Sequence, residues 1–305
     1  MSALVTASAL AATSCGAPKA EKGMATNAAA TTTHPQADTL AVFSDKMSRE
    51  IKNTIIFPAQ YFIAGDTTHY PVVYLLHGAG GCYKDWPRVK SLPALASELG
   101  TIIVCPDGQD SWYFDSPVDS TMQFETYITH ELRQAVDGAF RTRTDRQGRA
   151  ITGLSMGGHG ALWLAFRHPD LYGACGSMSG GVDFTAWPRS WHLPDRLGPY
   201  DANPELWRSH TVVSLVPTLI NGRQQIIIDD GDADFFYDVN MALHEALVAH
   251  GIAHKFDILP GAHSWEYWAR SVVYHLQFFD RFFKGEQSEL DYHIMPKVDK
   301  TKKAA

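Results

Sequence analysis

The run Arg149-Ala150-Ile151-Thr152-Gly153-Leu154-Ser155-Met156-Gly157-Gly158-His159-Gly160 restricts the fold of this 305-residue chain more than any other stretch. It begins as a short apolar strand and passes directly into an apolar helix over 161–167. Between the two stands Gly153-Leu154-Ser155-Met156-Gly157, the G-x-S-x-G pattern of a serine on a sharp strand-to-helix turn. A serine alcohol is a weak nucleophile and has to be lifted clear of a sheet toward a base. A turn tight enough to do so strains the serine backbone and crowds its neighbours, and Gly153 and Gly157 lack the Cβ atoms that would collide. The helix that follows points unpaired N–H groups and its positive dipole end at the same place. Five residues of this kind recur by chance, and the strand before and helix after are what give them meaning.

A chain of this length can bury a sizeable core in one domain with tails. Charged residues are 19% and apolar residues 45% of the whole, a globular balance. The net charge of -7 and the lack of a basic stripe argue against a nucleic-acid partner. No run approaches the roughly 20 apolar residues of a membrane span. Cys15, Cys82, Cys105 and Cys175 form no C-x-x-C pair, so zinc and thioredoxin chemistry are not indicated. Cys105 and Cys175 lie in apolar runs and read as buried thiols.

Residues 1–14 are small and apolar and lead into Ser14-Cys15-Gly16. This reads as an export signal with a small-residue cleavage site, and Cys15 as the lipidated first residue of a bacterial lipoprotein. The basic start of such signals is missing, since no Lys or Arg precedes Cys15. The expected location is periplasmic or outer-membrane, with membrane contact only through a lipid at Cys15. Residues 16–38, rich in Ala, Thr and Lys, read as a flexible linker, 39–284 as the folded domain, and 285–305 as a charged, frayed tail.

Within the domain, 40–43 and 51–57 read as an antiparallel opening pair. The near-continuous apolar run at 70–76 reads as a strand buried on both faces and 101–105 as another buried strand, with further strands at 149–153, 173–178, 224–229 and 253–259. Helical spacing appears at 87–99, 121–139, 239–250 and 265–283. Strands alternating with helices predict an α/β fold with a mostly parallel central sheet covered on both faces. Two stretches break the alternation: 108–117, with Trp112 and Tyr113, and 180–221, with Trp187, Trp191 and Trp207. Loops at strand ends are where substrates are read in such sheets, so the second predicts a loop-rich cap.

A serine nucleophile needs a base, and the base an orienting acid; in this architecture they follow in the order serine, acid, histidine. His263 lies in Pro260-Gly261-Ala262-His263-Ser264-Trp265, a turn between a late strand and a helix, where the base must stand. His159 reads as structural. The acid belongs in the loop Asp229-Asp230-Gly231-Asp232-Ala233-Asp234, whose aspartates spacing does not separate. Two backbone donors are needed for an oxyanion: the N–H of Met156 and one from His77-Gly78-Ala79-Gly80, most simply Ala79. His77 itself reads as shaping that loop. No Walker A, H-E-x-x-H or complete dinucleotide-binding pattern competes.

On Leu75-Leu76-His77-Gly78, Ser111-Trp112-Tyr113, Gly153-Leu154-Ser155-Met156-Gly157-Gly158, Gly231-Asp232-Ala233-Asp234-Phe235-Phe236-Tyr237 and His263-Ser264-Trp265-Glu266-Tyr267-Trp268, the chain resembles the esterase family of esterase D-like enzymes, S-formylglutathione hydrolases, tributyrin esterases, feruloyl and acetyl-xylan esterases and mycolyltransferases. The resemblance spans residues 40–284 and implies an α/β-hydrolase fold. It implies Asp234 as the acid, with Asp232 in reserve, and marks Asp230 as a departure, a charge added where many relatives carry Cys. It implies a serine esterase acting through Ser155, His263 and Asp234, with Ala79 and Met156 as oxyanion donors and no metal or organic cofactor. A histidine base predicts activity falling below about pH 6–7. Export and the tryptophan-rich loops point to a small ester or acylated polysaccharide carrying acetyl or feruloyl groups. Trp112, Tyr113, Trp187, Trp191 and Trp265 are the expected contacts. The alternatives are a short-chain carboxylesterase, a formylglutathione-type thioesterase, an acyltransferase, and a glycan-binding lipoprotein without turnover.

Overall fold

The computed structural model describes residues 36–286 and 292–293; the expected signal, Cys15 and nearly all of the linker lie outside the described residues. In chain order the strands are β1 (Ala37–Ser44), β2 (Arg49–Ile56), β3 (Val72–Leu76), β4 (Ile102–Pro106), β5 (Arg149–Gly153), β6 (Ala174–Met178), β7 (Gln225–Gly231), β8 (Lys255–Leu259) and β9 (Tyr292–His293). They form one sheet in the order β1-β2-β4-β3-β5-β6-β7-β8-β9. β1 and β2 pair antiparallel from Ala37↔Ile56 to Ser44↔Arg49, β2 meets β4 antiparallel, and every later pair is parallel. The helices are α1 (Leu92–Leu99), α2 (Phe124–Thr126), α3 (Arg133–Ala139), α4 (Met156–Arg167), α5 (Leu193–Leu197), α6 (Pro204–Ser209), α7 (Tyr237–Ala249) and α8 (Trp265–Phe283).

β3 and β4 are apolar without alternation because each supplies two cores. Val72, Tyr74 and Leu76 of β3 and Ile102 and Val104 of β4 join the core under α4 and α7. Val73 and Leu75, with Ile103 and Cys105, join the opposite core under α1 and α8. Helices thus cover both faces of a mostly parallel sheet, the α/β-hydrolase arrangement. α4 is buried from Met156 to Phe166. A helix apolar all round needs cover on every side. Here the sheet supplies one side and Val182, Phe184, Trp207, Val212 and Val216 of the β6–β7 insertion pack into the same core.

Three expectations need revision. The helix expected over 87–99 is a 3-10 turn at Trp86–Arg88 followed by α1, because Val89 takes an extended conformation. The helix expected over 121–139 starts at Phe124 and widens to a π-helix at Tyr127–Leu132 between α2 and α3. The folded unit reaches past residue 284, since Tyr292–His293 pair in parallel with Phe256 and Asp257 of β8. The insertion, loop-rich as expected, also holds α5, α6 and the 3-10 turns Tyr200–Ala202 and Val213–Thr218.

Candidate active site

Ser155 stands between β5 and α4 with φ 55 and ψ -119, a backbone conformation that L residues rarely adopt. The turn is held from several sides. Ser155 N–H donates to Met178 O at 3.0 Å, and Ser155 O accepts from Gly158, His159 and Gly181 N–H. A Cβ on Gly153 would lie 2.5 Å from Gly157 O, and one on Gly157 would lie 2.6 Å from Leu76 O and His77 O. Both glycines are therefore required by close backbone approach, as the motif suggested.

Ser155 Oγ–H donates to His263 Nε2 at 2.9 Å, and His263 Nδ1–H donates to Asp234 Oδ2 at 2.8 Å. β8 ends at Leu259 and α8 begins at Trp265, so His263 rides on the short loop between them. Asp234 follows β7, its side chain fully enclosed, and its other oxygen accepts Phe236 N–H at 2.8 Å. The imidazole is bracketed by aromatic rings, with Phe235 at 4.3 Å, Trp268 at 4.8 Å and Phe236 at 5.4 Å between centroids. Phe235 and Phe236 belong to the Gly231–Tyr237 motif, and nothing in their spacing marks them as walls around His263.

The other aspartates of this loop do different work. Asp232, the reserve acid, accepts Gly261 N–H at 2.9 Å and ties the two loops together instead of meeting His263. Asp230 is buried, accepting from Gly231 N–H and from Asn240 Nδ2 at 2.9 Å. Burial, and then the negative charge of Asp234, raise its pKa well above the usual carboxylate range. Both influences favour the protonated form of Asp230 and oppose the extra charge expected beside Asp234. Asp229 is a buried hub, taking hydrogen bonds from Tyr267 Oη, Ser271 Oγ and His275 Nε2 of α8. Its contacts fix the helix that begins two residues after His263, a role no local pattern announces.

Met156 opens α4, so its N–H lacks a helical acceptor. Ala79 follows β3 in a half-buried loop, and among the described residues its N–H has no protein acceptor. The Gly78 backbone beside it lies against Ser155: a Cβ there would come within 3.3 Å of Ser155 Cβ. A cavity of about 530 Å³ opens from this loop, lined by Ala79, Asp110, Arg189, Trp191, His192 and Asp195 among others.

The expected aromatic contacts divide. Trp112 and Tyr113 are 1% and 0% exposed and cannot offer a face to a substrate. Both take left-handed backbone, φ 58 and 60. Trp112 Nε1–H donates to Trp191 O, and Tyr113 Oη–H to His77 O, so they brace the insertion and the loop before Ala79. Trp187 and Trp191 are half-buried and pack against Phe235 and Phe236 beside His263. Trp265 is 37% exposed and packs edge-on against Trp268, the ring that also packs against His263. His159 is buried between Trp112 O and His210 O, and burial lowers its pKa to about 4.

The chain is similar to several known esterases. An "Esterase" of Mycobacterium tuberculosis (strain CDC 1551 / Oshkosh) is 35% identical over 131 residues, 41% of this chain, and the chain spans only 28% of that relative's length. An acetyl esterase of Caldicellulosiruptor saccharolyticus is 24% identical over 68% of this chain and 82% of its own. The solved structure of a ferulic acid esterase superposes with TM-score 0.69 at 28% identity, over 81% of this chain and 98% of that one. The profile of the family described as "Putative esterase" matches residues 44–279, which takes in Ala79, Ser155, Asp234 and His263, and the chain belongs to that family.

Proposed function

We propose that this protein is a serine carboxylic-ester hydrolase whose substrates are acetyl or feruloyl esters of carbohydrate. The observation that carries the reading is the unbroken line from Ser155 Oγ through His263 to the enclosed Asp234 carboxylate. Ser155 Oγ attacks the ester carbonyl as His263 Nε2 takes its proton. Negative charge collects on the carbonyl oxygen, which the Met156 and Ala79 N–H groups receive. His263 then protonates the leaving alcohol, and Asp234 holds the Nδ1–H tautomer throughout. Water, deprotonated by the same histidine, cleaves the acyl-enzyme.

The carbohydrate part of the reading draws on the half-open rings of Trp187, Trp191 and Trp265 and on a polar-rimmed cavity of about 530 Å³ beside Ala79. The relatives named acetyl esterase and ferulic acid esterase support it. Residues 1–16 support export with a lipid at Cys15, which labelling with radioactive palmitate tests directly. The decisive experiment is hydrolysis of p-nitrophenyl acetate, methyl ferulate and acetylated xylan by the purified protein beside Ser155→Ala. Turnover lost in the variant supports the mechanism. Full-rate turnover in Ser155→Ala rules out the nucleophile, and no turnover by the native protein rules out the hydrolase.

A further inference from the structure

His77 is 1% exposed, and its two ring nitrogens face opposite kinds of partner. Nε2 accepts the N–H of Gly108 at 2.8 Å and so carries no proton. Nδ1 lies 2.7 Å from the carbonyl oxygen of Gly78, so it carries the proton and donates it there. The two contacts together select one neutral tautomer. An imidazolium would set a second N–H against that of Gly108, and burial lowers the pKa of this ring.

The Gly78 carbonyl is one half of the peptide whose other half is the Ala79 N–H. In a trans peptide the two point in opposite directions, and the described residues contain no cis bond. Gly78 O is held on one side by His77 Nδ1–H and by Gly81 N–H at 3.1 Å. The Ala79 N–H is turned to the other side and donates to no protein acceptor among the described residues.

We infer that His77 is a positioning residue whose Nδ1–H locks the Gly78–Ala79 peptide, so that the Ala79 N–H and not the Gly78 carbonyl faces the oxyanion formed at Ser155. The inference rests on the serine-hydrolase reading above. Were the peptide to turn over, a donor would be lost and a carbonyl dipole would face the developing negative charge. The lock is itself held. Tyr113 Oη–H donates to His77 O at 3.1 Å, and Gly80 N–H donates to Asp110 Oδ1 at 2.6 Å on the far side of Ala79. A Cβ on Gly81 would stand 2.9 Å from His77 Nδ1, so only glycine leaves the ring its place.

The test compares His77→Leu, His77→Asn and His77→Gln in the full chain, with p-nitrophenyl acetate as substrate and butylboronic acid as a probe that becomes tetrahedral on serine. His77→Leu is expected to lower kcat by about 10²–10³-fold, the usual loss for one oxyanion donor, with KM little changed. Its inhibition constant for butylboronic acid should rise by a similar factor. The amide of Asn reaches the place of Nδ1, so His77→Asn should recover about tenfold or more of the lost kcat, a fraction of that donor's effect, while His77→Gln, reaching the place of Nε2, should not. Should His77→Leu fail to fold, Asn against Gln carries the comparison. Equal rates in all three variants, or native kcat and boronate affinity with only a lowered Tm, overturn the lock. A native protein without ester turnover overturns the hydrolase reading beneath it, which separates the two failures.

Discussion

The Asp232 carboxylate accepts the Gly261 N–H at 2.9 Å, two residues short of His263 in the sequence. Asp234, two residues further along its own loop, accepts from His263 itself. Asp234→Asn should therefore lower kcat by about 10³–10⁴-fold, through loss of the correct imidazole tautomer. Asp232→Asn keeps an acceptor for Gly261 and should cost less than about tenfold, the effect of one neutral hydrogen bond. Steady-state kinetics on p-nitrophenyl acetate decide it; the reverse ranking would move the acid to Asp232.

Trp112 and Trp265 should respond to truncation in different currencies of measurement. Trp112→Ala empties a site enclosed by Phe184, Trp191 and His159 and should lower stability by about 3–5 kcal/mol. Trp265→Ala removes a ring open to solvent and should change stability by less than about 1 kcal/mol, while raising KM for acetylated oligosaccharide. Denaturant melts and oligosaccharide kinetics on both variants check the pair. An unchanged KM in Trp265→Ala would remove that ring from the proposed site.

Stability should peak near pH 6–7. His77, His159 and His254 all have lowered pKa values, the last two to about 4, chiefly through burial. Below their unfolded value of about 6.5 the unfolded chain binds protons that the native one refuses, so stability falls as pH drops toward 4. Asp230 has the opposite sign: its raised pKa keeps a proton that the unfolded chain has released, and stability falls as pH rises. Each such proton is worth about 1.4 kcal/mol per pH unit across its window. Tm measured from pH 4 to 9 should trace a dome, and a curve still rising at pH 9 would contradict the raised pKa of Asp230.

Ser155 should be a costly residue to hold in place. Ser155 keeps φ at 55 and ψ at -119, a conformation open to glycine. Ser155→Gly should abolish turnover yet raise Tm, since strain of this kind is worth about 1–3 kcal/mol. A lowered Tm would place the turn's support in the serine hydroxyl rather than in its surroundings.

Much of this was readable in the chain because it is local. The doubly buried strands appear as unbroken apolar runs, and the Ser155 turn and the loop of His263 each sit between a strand and a helix that announce themselves. What could not be read depends on distant partners. Trp112 looks like a substrate contact until Trp191, 79 residues away, closes over its indole N–H. Asp230 looks like an added charge until Asn240 and the neighbouring Asp234 enclose it. Spacing leaves Asp232 and Asp234 equal, because a two-residue offset in a loop turns on backbone direction, which pattern does not carry. The π-helix at Tyr127–Leu132 has the same apolar spacing as an ordinary helix and leaves no mark of its own.

The two residues of β9 are few, but they decide where the chain can be cut. They lie on the outer edge of β8, whose N–H and C=O groups would otherwise face solvent. An expression clone ended after Phe283, where the last helix stops, would keep every residue of the proposed site and still present an open strand to its neighbours. Such a protein should retain specific activity when dilute and associate through β8 as its concentration rises.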